Sequence, residues 1–316
     1  MLLRPIFRLK SIYNSTKSLH ILALSSHPDL AISLANKLNC PVSPVQNQSF
    51  SNTETKLSPL RLPIKCNDSV VVVQSPLQNI NNQIMELLLV IQACKQLHNT
   101  KVTALVPCFP YSRSDKTESR NIPIAAKLMA KMLEAAGADN VVTVDLHAAQ
   151  IEGFFNVPIT NLQITGIISD ALRSRDVILV SPDAGAMKKV TRISEQTGQP
   201  FALIHKERGV DGTVSRMTLV GDVRGKTAVI VDDMADSCGT VLKAADLLKS
   251  QGAATVEAVM SHGILSGDAL RRISGSESLS RFTVTNTLPQ RTDECSKLDV
   301  IDVTDLLAET ISQIHG

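Results

Sequence analysis

Three closely spaced carboxylates and the small residues beside them are the part of this chain best suited to chemistry. Asp232 and Asp233 follow a short apolar run at residues 228–231, and Asp236 comes three positions later. The small or polar residues that follow are Ser237, Cys238, Gly239 and Thr240. Apolar residues at helical spacing begin at residue 241. The order is therefore strand, acidic turn, loop and helix.

A loop of small residues before a helix presents free backbone N–H groups, and such groups bind phosphate. Carboxylates next to the loop can hold sugar hydroxyls or a metal. A single Asp here would fit a helix N-cap, but three neighbouring carboxylates repel one another unless a ligand compensates them. The pattern therefore predicts a site for a phosphorylated sugar.

A second group of polar residues could hold a divalent cation. Asp145 and His147 end an apolar run, and their spacing puts both on one face of an extended segment. A carboxylate and an imidazole can bind a metal directly or through water. The alternative is a buried His that is hydrogen-bonded to Asp. Asp183 lies between a predicted strand and a predicted helix, where it is either a ligand or an N-cap.

Two cationic segments suit phosphate chemistry. Lys206, Glu207 and Arg208 follow a predicted strand and precede a glycine-containing segment, which predicts a mobile loop. Cations on such a loop can close over phosphates and stabilise the charge of a transition state, whereas a solvated turn is the alternative. Arg113 lies close to Tyr111 in a second basic segment, and this combination suits a nucleotide. A surface loop is the alternative there.

Composition limits the class of protein. The chain has 316 residues, of which 43% are hydrophobic and 20% are charged, as in globular proteins of about two domains. A net charge of +2 gives no electrostatic argument for nucleic acid, and no apolar run reaches membrane-spanning length. Six scattered cysteines without a CxxC pair argue against a disulfide framework or a zinc site. We therefore predict a reducing compartment.

Predicted strands and helices alternate along the chain. Strands are predicted at residues 20–26, 70–74, 102–108, 141–146, 177–181, 201–205, 217–220, 227–231, 255–261, 282–285 and 298–303, and helices at 29–38, 82–97, 123–136, 186–195, 240–249 and 304–314. Alternation predicts parallel sheets that are covered on both faces. Two rounds of the pattern predict two similar, closely packed domains that meet near residues 161–174. Ligands of such sheets bind beyond the carboxyl ends of the strands, where the polar clusters lie.

The chain resembles the ribose-phosphate pyrophosphokinase family from about residue 20 to residue 315. The segments that carry the resemblance are CFPYSRSDK, AGADNVVTVDLHAAQIEGFFNVPITNL, VSPDAG, FALIHKER and LVGDVRGKTAVIVDDMADSCGT. The resemblance implies an α/β fold of two tandem type I phosphoribosyltransferase domains, each a mainly parallel sheet flanked by helices. A basic extension at residues 1–18 would precede an ATP-side domain at 19–164 and a ribose 5-phosphate-side domain at 165–316.

The same resemblance implies a reaction. ATP would donate its β,γ-diphosphate to the 1-hydroxyl of ribose 5-phosphate with the help of Mg²⁺, which releases AMP and serves nucleotide biosynthesis. The catalytic residues would be Lys206 and Arg208. Ribose 5-phosphate would be bound by Asp232, Asp233, Asp236, Ser237, Cys238, Gly239 and Thr240. The nucleotide would be bound by Phe50, Asn52, Glu54, Arg113, Ser114 and Asp115, and the metal by Asp145, His147 and Asp183.

The resemblance also implies that the chain forms an oligomer. The resemblance implies a dimer-based hexamer of identical chains, or a mixed oligomer with paralogues, in which Phe50 and its neighbours reach a second subunit's ATP. The chain has Ser114, Ala186 and Lys189 where the family commonly has Gln, Gly and Arg. These differences favour the alternative of a non-catalytic or regulatory paralogous subunit. The retained cationic and acidic motifs favour an enzyme, which is our prediction.

The first 18 residues leave the compartment open. They contain four Lys or Arg residues and several Ser, but no acidic residue. This composition is typical of a mitochondrial or plastid transit peptide. A disordered extension of a cytoplasmic protein is the other interpretation, and it is the one that we favour.

Overall fold

The structure, a computed structural model, describes residues 18–58, 64, 68–98, 100–117, 119–208 and 214–316. Almost the whole predicted N-terminal extension, residues 1–17, lies outside these ranges. So do residues 209–213, the glycine-containing part of the loop that was predicted after Arg208.

Parallel strands from the first half of the chain form one sheet. The strands of this half are β1 (Leu19–Ala23), β2 (Val42–Pro44), β3 (Asn47–Ser49), β4 (Thr55–Leu57), β5 (Ser69–Val73), β6 (Lys101–Leu105), β7 (Asn140–Val144) and β8 (Ile159–Leu162). The sheet has the order β2-β1-β5-β6-β7-β8, while β3 and β4 form a separate antiparallel hairpin. Strand β5 reads SVVVV and is buried along its whole length, as expected where helices cover both faces.

The second half of the chain forms a larger sheet. Its strands are β9 (Val177–Ser181), β10 (Phe201–Arg208), β11 (Val214–Val220), β12 (Thr227–Ala235), β13 (Thr255–Gly263), β14 (Arg281–Thr285) and β15 (Leu298–Ile301). Their order is β11-β10-β9-β12-β13-β14-β15. The β10–β11 pair is antiparallel and the other described pairs are parallel. The predicted α/β fold with two mainly parallel sheets is confirmed.

The helices cover the faces of both sheets. They are α1 (Pro28–Leu38), α2 (Ile80–His98), α3 (Ala125–Ala136), α4 (Thr165–Leu172), α5 (Met187–Thr197), α6 (Gly239–Ser250), α7 (Ala269–Gly275) and α8 (Thr304–His315), with short 3-10 turns at Ala149–Phe154 and Thr292–Glu294. Helix α3 ends at Gly137, whose φ of 103° is open to glycine and costly for other residues. None of the helices in the described ranges is long and apolar enough to cross a membrane.

A shared layer of helices joins the two sheets. Leu34 of α1, Ile168 of α4, Val190 of α5 and Leu307 of α8 are almost fully buried in one continuous apolar cluster that contacts strands of both halves. Helices α2 and α3 cover the outer face of the first sheet, and α6 and α7 cover that of the second. The two halves therefore pack closely, as predicted. The exact boundary at residues 164 and 165 stays a prediction.

Strands β10 and β12 extend through charged residues beyond the ends that the sequence predicted. The apolar run ends at Val231, but β12 continues to Ala235 because it stays paired with β13 to its end. Strand β10 likewise continues to Arg208 through its pairing with β11, so the prediction of a loop at residues 206–208 was wrong. Strands β2, β3, β4 and β8 and helices α4 and α7 were missed, because short segments show little periodicity.

Candidate active site

A cleft of about 790 Å³ opens at the carboxyl ends of strands from both sheets. Arg113 and His147 line it from the first half of the chain, and Asp183, Lys206 and residues 232–240 line it from the second half. The fold thus brings together the acidic loop, the cationic strand end, all three predicted metal residues and one predicted nucleotide residue, Arg113. The strand-end rule explains why, since the carboxyl ends of parallel strands meet at one edge.

The loop before α6 has the geometry of a phosphate site. Cys238 has a left-handed backbone with φ of 60°, and α6 begins at the next residue, Gly239. Within the described structure no side chain caps this helix, so the amides of its first turn face the cleft without a side-chain partner. Burial raises the pKa of the Cys238 thiol to about 12, which keeps it a neutral thiol. The loop can therefore bind an anion through backbone amides and is not suited to nucleophilic catalysis by its cysteine.

Two neighbouring carboxylates at the end of β12 differ in their electrostatics. The imidazole Nδ1 of His147 lies 2.6 Å from Oδ2 of Asp233, and both side chains reach the cleft. Burial acts to raise the pKa of Asp233, but the hydrogen bond and charge of His147 outweigh it and the pKa is lowered. The hydrogen bond to Asp233 likewise raises the pKa of His147. This pair is charged and internally compensated.

Asp232 lacks such compensation. Burial, followed by the charge of Asp233, raises the pKa of Asp232, and the charge of Asp183 adds to the effect. A carboxylate in this position favours a ligand that brings positive charge or hydroxyl donors. Sugar hydroxyls or a cation bound next to Asp232 would stabilise the negative charge of its carboxylate.

The cationic side of the cleft is held by Asp183. The ammonium Nζ of Lys206 lies 3.0 Å from Oδ2 of Asp183, and the Lys206 side chain is only 10% exposed. The other oxygen of Asp183 accepts the backbone N–H groups of Gly185 and Ala186 at 3.0 and 3.2 Å, so this residue also fixes the turn before α5. The side chain of Arg208 lies outside the described part of the structure, and its catalytic role stays a prediction.

Asp145 differs from the role that the sequence suggested. Strand β7 ends at Val144, and Asp145 has φ of 41°, so the alternation that put Asp145 and His147 on one face does not hold. Its Oδ2 accepts hydrogen bonds from Nζ of Lys189 at 2.6 Å and from Oγ of Ser261 at 2.5 Å, and only 3% of the residue is exposed. With its carboxylate used in this way, Asp145 links the two halves of the chain and does not present a free ligand.

Lys189 and Ser261 were missed as site residues. Lys189 appeared in the sequence only as a difference from the family, and Ser261 ends the predicted strand at 255–261. Applying the strand-end rule to β13 as well would have found Ser261 and the buried His262 after it. The contact between Lys189 and Asp145 joins residues 44 positions apart, and no local pattern predicts it.

The predicted nucleotide residues separate into two groups. Arg113 lines the cleft, and its Nη1 donates to Oδ2 of Asp236 at 2.7 Å. Ser114 has a structural contact, because its Oγ accepts the N–H of Ala125 at the start of α3, at 3.3 Å. Asp115 is 8% exposed and accepts a hydrogen bond from Gln150. Of this segment, Arg113 is the residue that reaches the cleft.

Phe50, Asn52 and Glu54 lie in the turn between β3 and β4. The N–H of Phe50 donates to the Glu54 carbonyl at 2.9 Å, and Oδ1 of Asn52 accepts the N–H of Glu54 at 3.2 Å. The Phe50 ring is half exposed, with the ammonium of Lys56 5.4 Å from its centroid. Among the described residues that line the cleft, none comes from this turn. One chain alone does not bring these residues to Arg113.

The donor set of the cleft suits a magnesium ion that shares its coordination with a substrate. In the described part of the chain, no three His, Cys, Asp or Glu side chains converge on a metal position. Mg²⁺ commonly takes one or two protein carboxylates, and water and substrate phosphates complete its shell. Asp183 and Asp232 are close enough for the charge of one to raise the pKa of the other, and both line the cleft. Asp183 already bonds Lys206 and two backbone amides, but its side chain is 41% exposed, so an ion can still reach it, unlike the buried Asp145. Asp183 and Asp232 therefore fit such an ion.

Two models of protein-family domains match the chain. The N-terminal domain of ribose phosphate pyrophosphokinase matches residues 19–137, and the phosphoribosyl synthetase-associated domain matches residues 212–316. The chain is also similar to the solved structure of phosphoribosylpyrophosphate synthetase from Mycobacterium smegmatis, with 35% sequence identity and a TM-score of 0.86. The alignment covers 94% of this chain and 99% of that chain.

A more distant likeness involves an adenine phosphoribosyltransferase. Adenine phosphoribosyltransferase from Leishmania donovani matches with 17% identity and a TM-score of 0.32, over 46% of this chain and 75% of that chain. This likeness is too partial to support a conclusion.

Proposed function

The chain belongs to the ribose-phosphate pyrophosphokinase family, and from this premise we propose how its cleft performs the family's reaction. The reaction transfers a diphosphate group from ATP to the 1-hydroxyl of ribose 5-phosphate, and gives 5-phosphoribosyl 1-diphosphate and AMP. One observation carries the proposal: Lys206 and the loop at residues 236–240 line the same cleft. A cation for the diphosphate and amides for the sugar phosphate therefore serve one reaction centre.

The acidic side of the cleft binds ribose 5-phosphate. The amides of Cys238, Gly239 and Thr240 hold the 5-phosphate at the start of α6, where the helix dipole also favours an anion. Asp232 and Asp233 accept hydrogen bonds from the ring hydroxyls. This binding orients the 1-hydroxyl towards the middle of the cleft, and such positioning is a large part of catalysis in phosphoryl transfer.

The cationic side binds ATP. Lys206 stabilises the negative charge that develops on the transferred group, and Arg208 adds a second cation from the end of the same strand. Arg113, which bonds the phosphate loop through Asp236, contacts the nucleotide from the first half of the chain. Because the cleft is lined by protein on both sides, these charges act with less screening than in bulk water.

Magnesium completes the site in this proposal. Asp183 and Asp232 would supply oxygen ligands, and His147, whose Nδ1 is engaged by Asp233, would offer its Nε2 to the ion. When bound, the ion neutralises charge on the diphosphate. We assign Asp145 a positioning role, since its carboxylate is buried and bonds Lys189 and Ser261.

The exposed turn at Phe50 suits a role between subunits. Its aromatic ring, Asn52 and Glu54 are available at the surface of one chain and remote from that chain's own cleft lining. We propose a homo-oligomer in which this turn completes the nucleotide site of a neighbour. No observation favours the non-catalytic alternative, because the cationic and acidic groups line a single cleft.

The compartment of the enzyme is a separate proposal. We propose a cytoplasmic enzyme, and the basic residues 1–17 keep a mitochondrial or plastid location as the alternative. A reporter fused to residues 1–18 decides between them: a diffuse cytoplasmic signal supports the proposal, and import into an organelle contradicts it.

Release of AMP tests the proposed reaction. The purified chain with Mg²⁺ and ATP should release AMP only when ribose 5-phosphate is present, and EDTA should abolish the release. An Asp232→Asn variant should lose more affinity for ribose 5-phosphate than for ATP. Failure of the unaltered protein to release AMP, or production of ADP in its place, would contradict the proposal.

A further inference from the structure

Arg272 of helix α7 contacts the phosphate loop from outside the cleft. Its Nη1 donates a hydrogen bond to the carbonyl oxygen of Ser237 at 2.9 Å. Its guanidinium also lies over Gly239, where a Cβ would be 3.3 Å from Nη2. Arg272 is not among the residues that line the cleft, so it contacts the loop's outer side.

This contact fixes the orientation of a peptide group on which anion binding depends. For the amides of residues 238–240 to point into the cleft, the carbonyl before them must point away from it. A guanidinium holds that carbonyl through a charge-assisted hydrogen bond, which is stronger than a neutral one. The left-handed Cys238 follows directly, and a left-handed backbone outside glycine needs support from its surroundings.

The loop is held at a second point by other residues. Asp236 accepts a hydrogen bond from Arg113 at 2.7 Å and another from Ser266. These contacts fix the beginning of the loop, whereas Arg272 fixes its middle. The region around α7 therefore supports the loop at both points, although none of α7 belongs to the motif from which the sequence predicted the site.

We propose that Arg272 is a positioning residue that preorganises the phosphate loop for the 5-phosphate of ribose 5-phosphate. The inference rests on the proposed function, because it assigns a role within that same sugar phosphate site. Arg272 acts through the backbone of Ser237 and Gly239 and does not touch the sugar phosphate. Its loss should therefore weaken sugar phosphate binding selectively.

Calorimetric titration of ribose 5-phosphate and of ATP into separate samples tests the inference. In Arg272→Met, the Kd for ribose 5-phosphate should rise about tenfold, a factor equivalent to ~1.4 kcal/mol, while the Kd for ATP stays unchanged. In the activity assay, KM for ribose 5-phosphate should rise while kcat changes little. Arg272→Lys should recover part of the affinity, because Lys keeps one donor and the charge but lacks the fork of Arg.

Arg271 provides a matched control on the same helix. Its guanidinium bonds Asp268 one turn away, and its side chain is 79% exposed. Arg271→Met should bind both ligands as the unaltered protein does, since exposed ion pairs contribute little to stability.

The outcomes distinguish this inference from the proposed function. If the unaltered protein does not bind ribose 5-phosphate, the proposed function fails and the inference fails with it. If the unaltered protein binds and Arg272→Met binds equally tightly, the inference alone is overturned. An equal loss of both ligands, or the same loss in Arg271→Met, would also overturn it, because the effect would then be general.

Discussion

Several charged side chains of the cleft are paired with one another. His147 bonds Asp233, and Arg113 bonds Asp236. Asp232 has no ion-pair partner in the described part of the chain, and its pKa is raised first by burial and then by its neighbour's charge. Since an uncompensated buried charge is costly, the free energy of ligand binding includes the relief of this charge. The site thus favours a ligand that supplies hydroxyls and a cation.

Replacement of Lys206 tests whether the cationic side of the cleft contributes to catalysis. Lys206→Ala should lower kcat by about 10³-fold, the order seen when one preorganised charge is removed from a transition state. The melting temperature should hardly change, because the Lys206–Asp183 contact is one ion pair at the edge of a cleft. Steady-state kinetics and calorimetry measure both quantities.

An exposed lysine controls for loss of a positive charge. Lys243→Ala, on the outer face of α6, should keep the kcat of the unaltered protein. A Lys206→Ala variant that retains near-normal kcat would remove Lys206 from the mechanism.

At the scale of elements, the sequence predicted the central strands and most helices, and it placed the site at their carboxyl ends. The strands β5, β7 and β9 were found because a short run of β-branched and other apolar residues is a local signal. The lengths of β10 and β12 were not, because pairing with β11 and β13 extends them through charged residues. Contacts such as Arg272 with Ser237 depend on tertiary packing, and no short pattern contains them.

The docking of α8 on β6 gives a dependence of stability on pH. His315 at the end of α8 bonds Oγ1 of Thr103 at 3.0 Å. Burial, with a smaller contribution from the charge of Lys101, lowers the pKa of His315 from 6.5 to about 4. Between these values the unfolded chain binds the proton more readily than the folded one, so stability is lost as the pH falls from 6.5 towards 4.

Urea denaturation at a series of pH values measures this effect. His315→Gln, which can still hydrogen-bond Thr103, should lose less stability over that range than the unaltered protein. His27, whose pKa is also lowered by burial, contributes a remaining slope in both proteins. Identical slopes in the two proteins would show that His315 does not titrate as described.

At the scale of the whole molecule, the site exists because the two halves of the chain are held together. Ion pairs that cross between the halves join His147 to Asp233, Arg113 to Asp236 and Lys189 to Asp145. Beneath them, helices α1, α4, α5 and α8 share one apolar cluster with strands of both sheets. A chain with one shared core is expected to unfold as a single unit.

Leu307 on α8 tests the shared core, since it is fully buried in that cluster. Leu307→Ala should lower the free energy of unfolding by about 2–5 kcal/mol and keep a single calorimetric transition. Leu128→Ala, at a side chain that is 55% exposed on α3, is the matched control and should change stability little. Two separate transitions in the unaltered protein would mean that the halves unfold independently.

The fate of the β-phosphorus of ATP tests the central claim most directly, because only diphosphate transfer moves it to the sugar. ATP labelled with ³²P at the β position is incubated with the protein, Mg²⁺ and ribose 5-phosphate, and the products are separated. The proposed mechanism predicts that the label appears in the sugar product and that the AMP is unlabelled. Label in ADP, with none in the sugar, would contradict it.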